Sequence, residues 1–263
     1  FNHGNIHFIS LDTNTPGNWD DLPGGTYGMV DWLLDDLKTC SSDWLVAIMH
    51  LGPYSKGSHN SDTDLGMIQP RAHIVPLLET YGVDLVLYGH SHCYERSNLI
   101  DGHYGHSTTY NPAIMRKWPG NGSDLGGVDA AGNFIASPSA AGGAYHKPAA
   151  TSRAGAVYSV IGASSSTQNW HGGSSALVNP SPHPVHVVSL STIGDLVVET
   201  EGHRLNARYL DEFGAIRDDF TILKGATYTM HAPAPTTESN TAGIAFPITR
   251  TGSAAFAEQV PVA

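Results

Sequence analysis

Apolar and polar residues follow one another along the first 90 positions in a way that predicts alternating strands and helices. Residues 5–12 alternate and end at a polar loop rich in Gly and Pro, which predicts a strand. Residues 28–38 repeat apolar positions at helical spacing opposite acidic residues, which predicts an amphipathic helix. An apolar run at 44–49 predicts a buried strand, and a second, mostly apolar run at 83–88 predicts another strand after a helical stretch around 73–81. This order indicates an α/β arrangement with parallel neighbouring strands.

Two prolines bear on where the second helix starts and whether it is continuous. Pro70 suits a helix start, and Pro76 should bend or restart the helix because proline lacks a backbone donor.

The composition of the sequence changes after residue 97. Residues 98–155, rich in Gly, Asn, Ser and Ala, predict a long surface loop region. Strands without intervening helices follow, which predicts an antiparallel meander built from residues 156–163, 185–192, 195–201, 204–211 and 219–223.

The composition narrows the class of protein. The chain has 263 residues, 40% of them hydrophobic, enough to bury a core. Its formal net charge of −11, with 13 Lys and Arg, argues against nucleic acid as a stable partner. An anionic substrate would therefore need metal ions.

The two cysteines, Cys40 and Cys93, are too few for a disulfide scaffold and could be paired or free. No apolar run approaches the roughly 20 residues of a membrane span. Because Phe1 is neither an initiator Met nor part of a signal-peptide pattern, we expect the chain to begin inside a longer protein.

Three histidines follow the two buried apolar strands. His50 ends the first run, and His90 and His92 come just after the second, where α/β sheets bind ligands at the carboxyl ends of their strands. In an extended His-x-His the two side chains point the same way, and Gly89 would let the backbone turn sharply into the site. Neutral imidazoles are good ligands for transition metals. These histidines predict a metal site, and a polar turn in a chain with 15 histidines is the alternative.

The residues around these histidines carry a family resemblance. The block Gly89 to Arg96 (Gly-His-Ser-His-Cys-Tyr-Glu-Arg) resembles the Gly-His-x-His block of calcineurin-like metallophosphoesterases, in the Tyr-Glu-Arg form of purple acid phosphatases. The segment from His50 to His59 resembles the preceding metal-histidine block of that family. Residues 4–12 and 206–222 resemble its flanking strands. The resemblance therefore spans residues 1–224, which we take as the C-terminal part of a metallophosphoesterase domain.

The resemblance implies a dinuclear metal centre that hydrolyses phosphate esters. His50 and His90 would bind one metal ion and His92 the other, the ions being Fe, Zn or Mn. The family's other ligands come from upstream Asp, Asn and Tyr blocks, which we expect an N-terminal segment of the same precursor to supply. Without that segment the chain should bind metal poorly and catalyse little. Glu95 and Arg96 are expected to pair with each other or cap nearby backbone.

Other residues near these blocks are candidates for substrate contact. His59 stands where purple acid phosphatases place a substrate-facing histidine, so the resemblance implies a catalytic role in leaving-group or phosphate contact. Lys56 could meet a phosphate oxygen as a point charge. His103 and Tyr104 follow the metal block and could wall the substrate cleft. For His59 and Lys56, a solvated loop residue is the alternative.

The expected fold is α/β, a four-layer αββα sandwich whose C-terminal half has a parallel strand-helix part followed by antiparallel strands. Residues 225–237, rich in Pro and Thr, predict an extended linker. Residues 238–263 resemble the beginning of a Calx-beta-type β-sandwich segment. That tail and the family resemblance imply a secreted protein, extracellular or periplasmic, acting on a phosphorylated small molecule or nucleotide. The alternative is a non-catalytic structural or adhesion fragment of an extracellular multidomain protein.

Overall fold

The computed structural model describes residues 1–15, 28–123, 143–147, 153–164 and 182–225, and the backbone of four short strands outside these ranges. The elements up to residue 97 are, in chain order, β1 (Asn2–His3), β2 (Ile6–Leu11), α1 (Met29–Thr39), β3 (Trp44–Met49), α2 (Leu65–His73), α3 (Val75–Thr80), β4 (Leu85–Tyr88) and β5 (Tyr94–Ser97). The later elements are a 3₁₀ turn (Ser107–Thr109), α4 (Pro112–Met115), β6 (Gly127–Val128), β7 (Phe134–Ile135), β8 (Tyr145–Lys147), β9 (Val157–Ile161), β10 (His186–Leu190), β11 (Gly194–Glu201), β12 (Arg204–Asp211), β13 (Ile216–Lys224), β14 (Thr227–Met230) and β15 (Ile248–Thr251).

The larger sheet has seven strands in the order β1-β2-β3-β4-β9-β5-β10. Strands β2, β3, β4 and β9 are parallel to one another, and β5 and β10 add to them in antiparallel pairs. Strand β3 lies between two parallel neighbours and is covered on both faces along most of its length, so its sequence is a continuous apolar run. The predicted parallel strand-helix part of an α/β fold is thereby confirmed.

Helices cover one face of this sheet. In α1 the buried residues Val30, Leu33 and Leu37 recur at helical spacing and share a core with Ile9 of β2 and Leu78 of α3. An acidic residue in the first turn of α1 and a basic one in its last turn complement the helix dipole. The amphipathic pattern thus decides which side of α1 faces the sheet.

The second helical stretch begins earlier than its sequence suggested. Helix α2 starts at Leu65, after Asp64, whose side chain accepts a hydrogen bond from the backbone of Gly66. The expected start at Pro70 was wrong, because the side chain of Asp64 caps the helix by accepting from the N–H of Gly66, and Pro70 lies inside α2. Pro76 stands in the first turn of α3, so the expectation that it restarts the helix is confirmed.

The smaller sheet has four strands in the order β11-β12-β13-β8 and packs on the other face of the larger sheet. Trp44, Val46 and Leu85 of the larger sheet share a core with Phe220 and Ile222 of the smaller one. Strands β11, β12 and β13 form an antiparallel meander, as predicted. The α/β sandwich is confirmed, and the described residues form three layers of it, namely helices, larger sheet and smaller sheet.

Membership of the two sheets differs from the expectation. Strands β9 and β10 were expected in the meander, but β9 lies between β4 and β5, and β10 pairs with β5. Residues 98–155 are not loop throughout, because β8 pairs parallel with β13 and Tyr145 is fully buried. A local pattern specifies the period of a strand but not its partner, which depends on contacts between distant residues.

A buried ion pair joins the two sheets. Arg96 donates from Nε at 2.6 Å and from Nη2 at 2.9 Å to the carboxylate of Asp218. Tyr94 donates its hydroxyl to the same carboxylate at 2.7 Å. The side chains of Arg96 and Asp218 are 1% and 2% exposed, so each charge depends on the other for compensation. Arg96 was expected to pair with Glu95 or to cap nearby backbone. It pairs with Asp218 instead of Glu95, and its Nη1 donates to the backbone carbonyl of Asn121 at 2.8 Å.

The C-terminal assignments remain predictions. Strands β14 and β15 pair antiparallel, with Thr227 opposite Thr251. The other residues of the predicted linker, apart from Gly225, and of the Calx-beta-like segment lie outside the described residues. Cys40 and Cys93 are both free thiols. Within the described ranges, no helix combines the length and the apolar character needed to cross a membrane.

Candidate metal centre

The candidate site lies at the carboxyl edge of strands β3 and β4. These strands are parallel neighbours, with Met49 opposite Tyr88, so the residues that follow them emerge together. The backbone N–H of Gly89 donates to the carbonyl of His50 at 3.2 Å, which continues the pairing. The rings of His50 and His90 meet edge to face, with 5.4 Å between their centroids. His50 is exposed and His90 is partly buried, so the pair borders solvent.

The backbone of His90 lies in the left-handed region, with φ of +66°. This conformation costs a residue with a side chain roughly 1–2 kcal/mol. The turn expected at Gly89 is made by His90, so the picture of an extended His-x-His was wrong. Such strain persists where the surroundings determine the conformation, and it clusters at functional sites.

A third histidine and a carboxylate complete a group of metal-ligand type. The ring of His59 lies against that of His90, with 3.7 Å between centroids. Oδ2 of Asp64 is 3.0 Å from Nε2 of His90 and 3.2 Å from Nδ1 of His59. The three ligand atoms lie within 4.8 Å of one another, and all three residues are partly buried. The cap at the start of α2 holds the other oxygen of Asp64, so the helix orients this carboxylate.

The protonation states of this group suit a metal ligand set. Burial raises the pKa of Asp64, but hydrogen bonds, the one with His90 foremost, outweigh burial and hold the pKa below its usual value. Burial lowers the pKa of His90, which the contact with Asp64 only partly offsets. At neutral pH the site therefore contains an ionised carboxylate beside a neutral imidazole. A metal ion requires both ligands in these forms.

Serine side chains fasten the loop that carries His59 to the turn that carries His90 and His92. The backbone N–H of His59 donates to Oγ of Ser91 at 3.2 Å. In the opposite direction, the backbone N–H of His92 donates to Oγ of Ser58 at 2.8 Å. This bond holds His92 beside the loop, where it is partly buried. The two histidine-bearing segments hold each other in register.

Gly57 permits the close approach of these two segments. A Cβ atom at this position would lie 2.2 Å from Sγ of Cys93 and 2.7 Å from Oγ of Ser91. Cys93 and Ser91 are buried and cannot move aside freely. The contact between the loop and the turn therefore depends on a residue without a side chain at position 57.

Lys56 is held inside the loop. Its Nζ donates to Oδ1 of Asn60 and to Oδ2 of Asp62, each at 2.6 Å, and its side chain is 13% exposed. Hydrogen bonds to Lys56 and Ser107 outweigh burial and hold the pKa of Asp62 below its usual value. The predicted contact between Lys56 and phosphate stays a prediction, and it would require breaking this ion pair.

The contacts described for His103 and Tyr104 are with residues other than the histidines of the site. His103 is fully buried, and its ring stacks on Tyr54 with 5.6 Å between centroids. Burial lowers the pKa of His103 to about 4. Tyr104 donates its hydroxyl to Oε2 of Glu79 at 2.6 Å and accepts a hydrogen bond from Arg153 at 2.9 Å. Their roles in substrate binding stay predictions, and the contacts seen for both are internal to the protein.

Asp64, Ser58 and Ser91 were not predicted as site residues from the sequence. Asp64 carried one signal, an acidic residue directly before a helix. The serines carried none, because a contact between residues 32 or 34 positions apart arises only in the fold. With Asp64 included, the donor set is imidazole and carboxylate, which fits zinc, iron or manganese. Asp64 and His90 could hold such an ion, with His50 alongside and His59 at the same point.

Comparison with known proteins identifies a family that part of the chain matches. Residues 1–94 match the family model described as calcineurin-like phosphoesterase. An uncharacterised protein of Mycobacterium tuberculosis is 42% identical over 81 residues, which is 29% of this chain and 15% of that protein. Purple acid phosphatase 23 of Arabidopsis thaliana is 35% identical over 104 residues, which is 38% of this chain and 20% of that protein. The chain thus spans about 15 to 20% of the length of these relatives.

A solved structure supports the fold. The purple acid phosphatase from yellow lupin (Lupinus luteus) seeds aligns over 85% of this chain and 32% of its own, with a TM-score of 0.52 and 16% identity. At that identity the likeness concerns the fold alone. Over residues 1–94 the chain therefore matches a calcineurin-like phosphoesterase domain, with purple acid phosphatases among its sequence and structural relatives.

Proposed function

We propose that this chain forms part of a metal-dependent phosphoesterase that hydrolyses a phosphorylated small molecule or nucleotide. The observation that carries the proposal is the convergence of His59, Asp64 and His90 at the carboxyl edge of two parallel strands. All three residues lie inside the region that matches the phosphoesterase family model. The purple acid phosphatase relatives support the same chemistry.

The metal centre is dinuclear in this proposal. His50 and His90 hold one ion, His92 holds the other, and Asp64 adds a carboxylate next to His90. Two ions bound there would activate a water molecule and neutralise the charge that develops on the phosphate. The remaining ligands come from another segment of the same precursor. The small share of the relatives' length that the chain spans is consistent with such a segment.

His59 assists the leaving group. Asp64 contacts Nδ1 of this ring at 3.2 Å, which orients the imidazole and leaves Nε2 to meet a substrate oxygen. A histidine placed in this way can donate a proton to a departing alkoxide. The contact between the rings of His59 and His90 keeps this donor beside the ligands.

We further propose a secreted location, extracellular or periplasmic, which the family resemblance supports. Fractionation of the producing cells tests it by immunodetection of the protein in the medium, periplasm and cytoplasm. A protein confined to the cytoplasm would contradict this location without affecting the proposed chemistry.

The function is tested with the full precursor, by measuring bound metal by mass spectrometry and hydrolysis of p-nitrophenyl phosphate. We expect bound metal and hydrolysis, both lost on His90→Ala. His73→Ala is the matched control, since it removes an exposed histidine from the end of α2 and should change neither. A precursor that binds no metal and hydrolyses no phosphate ester would point instead to a non-catalytic structural role.

A further inference from the structure

Glu95 is a carboxylate with no exposure to solvent, three residues beyond His92. Burying an unpaired charge is costly, so a buried carboxylate needs nearby donors. Ser55 donates its hydroxyl to Oε2 of Glu95 at 2.5 Å, and the backbone N–H of Lys56 donates to Oε1 at 3.1 Å. Nδ1 of the buried His186 lies 3.3 Å from Oε1. Glu95 therefore holds the start of the loop that leads to His59.

Glu95 also decides which hydroxyl donates in the hydrogen-bond chain that runs from Ser91 through Ser55 to its carboxylate. An ionised carboxylate only accepts hydrogen bonds, so the single hydroxyl proton of Ser55 goes to Glu95. Oγ of Ser91 lies 2.8 Å from Oγ of Ser55. Because the proton of Ser55 is committed, Ser91 donates in this contact and accepts hydrogen bonds with its two lone pairs. One accepts from Sγ of Cys93 at 3.5 Å and the other from the backbone N–H of His59 at 3.2 Å.

The charge of Glu95 is maintained by its surroundings. Burial raises the pKa of this carboxyl, but His186 and the hydrogen bonds from Ser55 and Lys56 outweigh burial and keep the pKa below its usual value. The carboxylate is therefore ionised at neutral pH, and the direction of the hydroxyl chain is constant.

We propose that Glu95 is a positioning residue, which acts through Ser55 and Ser91 to hold His59 against His90 in the metal centre. This inference rests on the proposed function for its catalytic consequence. Its structural part, the support of the His59 backbone by a polarised hydroxyl chain, concerns residues of this chain alone. It extends the expectation that Glu95 has only a local structural role.

The test compares Glu95→Gln with Asp218→Asn. Glutamine keeps the shape of the side chain but can donate to Ser55, which removes the single direction of the hydroxyl chain. Asp218 is a matched control because it is also buried and its side-chain partners are Arg96, the next residue on the same strand as Glu95, and Tyr94. Both variants lose a buried carboxylate, so both should lose stability.

The first measurement is backbone amide exchange at His59 in the metal-free full chain, relative to the global unfolding of each variant. We expect Glu95→Gln to raise this exchange about tenfold more than Asp218→Asn does. The second measurement is metal affinity, which we expect to fall about 10- to 100-fold in Glu95→Gln but not in Asp218→Asn, the range seen when supporting partners of a ligand are removed. Ser91→Ala, which breaks the hydroxyl chain at its other end, should reproduce both effects. It replaces Glu95→Gln in the test if that variant does not fold.

The outcomes separate this inference from the proposed function. Equal exchange at His59 in the Glu95 and Asp218 variants, or unchanged exchange in Ser91→Ala, would overturn the positioning role. A wild-type precursor that binds no metal would refute the proposed function, while the exchange measurement would still decide whether Glu95 supports His59.

Discussion

Nε2 of His90 lies 3.0 Å from Oδ2 of Asp64, and the same oxygen lies 3.2 Å from Nδ1 of His59. One carboxylate oxygen thus joins the turn after β4 to the loop after β3. The other oxygen of Asp64 caps helix α2, which gives the carboxylate a rigid support.

The first prediction concerns Asp64→Asn. Asparagine retains the cap and the volume but removes the charge, so we expect helix stability to be preserved and metal affinity to fall at least about tenfold. Isothermal titration with Zn²⁺ or Mn²⁺ measures the affinity. Asp35→Asn, which alters an exposed carboxylate on α1, is the control and should bind as the wild type does. Unchanged affinity in Asp64→Asn would exclude Asp64 as a ligand.

The second prediction concerns Gly57→Ala. The added Cβ would lie 2.2 Å from Sγ of Cys93, so the loop must move away from the turn. We expect a stability loss of about 1–3 kcal/mol from overpacking, together with weaker metal binding. Chemical denaturation and metal titration measure the two effects. A variant that loses stability but keeps full metal affinity would show that the loop and the turn are not coupled.

The third prediction separates a structural role of Tyr104 from the substrate contact predicted from the sequence. Tyr104→Phe removes the hydroxyl that donates to Glu79 at 2.6 Å. We expect a stability loss of about 1–2 kcal/mol and an unchanged KM for phosphate esters. Denaturation and steady-state kinetics provide the two measurements. A raised KM with unchanged stability would support the substrate contact instead.

The fourth prediction concerns pH and Glu79. Burial raises the pKa of this carboxyl from 4.5 to about 7, against hydrogen bonds from Tyr104, Gly102 and Tyr158. Between these two values the folded state binds more protons than the unfolded state. The free energy of unfolding should therefore fall as pH rises from about 4.5 to 7, by at most about 3 kcal/mol.

Glu79→Gln tests this sign. The amide cannot ionise, so we expect its unfolding free energy to lose this slope, whatever its absolute value. Denaturant titrations at pH 5, 6 and 7.5 measure the slope in both proteins. Glu212→Gln, at an exposed position, should retain the slope of the wild type. The assignment fails if the slope persists unchanged in Glu79→Gln.

Local pattern was sufficient for much of the fold. Strand β3 has the predicted bounds, Trp44–Met49, because an apolar run buried on both faces is visible without knowledge of its partners. Strand β5, at Tyr94–Ser97, was not predicted, because its polar residues gain their burial from the smaller sheet and from the loop after β3. Tertiary contacts, such as those of Arg96 with Asp218, turn this polar stretch into an interior strand.

Local sequence pattern is enough to place His50 and His90 after neighbouring apolar strands, and parallel strand order then brings them to one edge. Contacts between distant residues bring Asp64 to them, hold His90 in the turn, and let Glu95 support His59 through two serines. The difference lies in the sequence separation of the residues involved. Periodicity and strand ends depend on neighbouring residues, whereas a hydrogen bond between residues 26 to 40 positions apart exists only after the chain has brought them together.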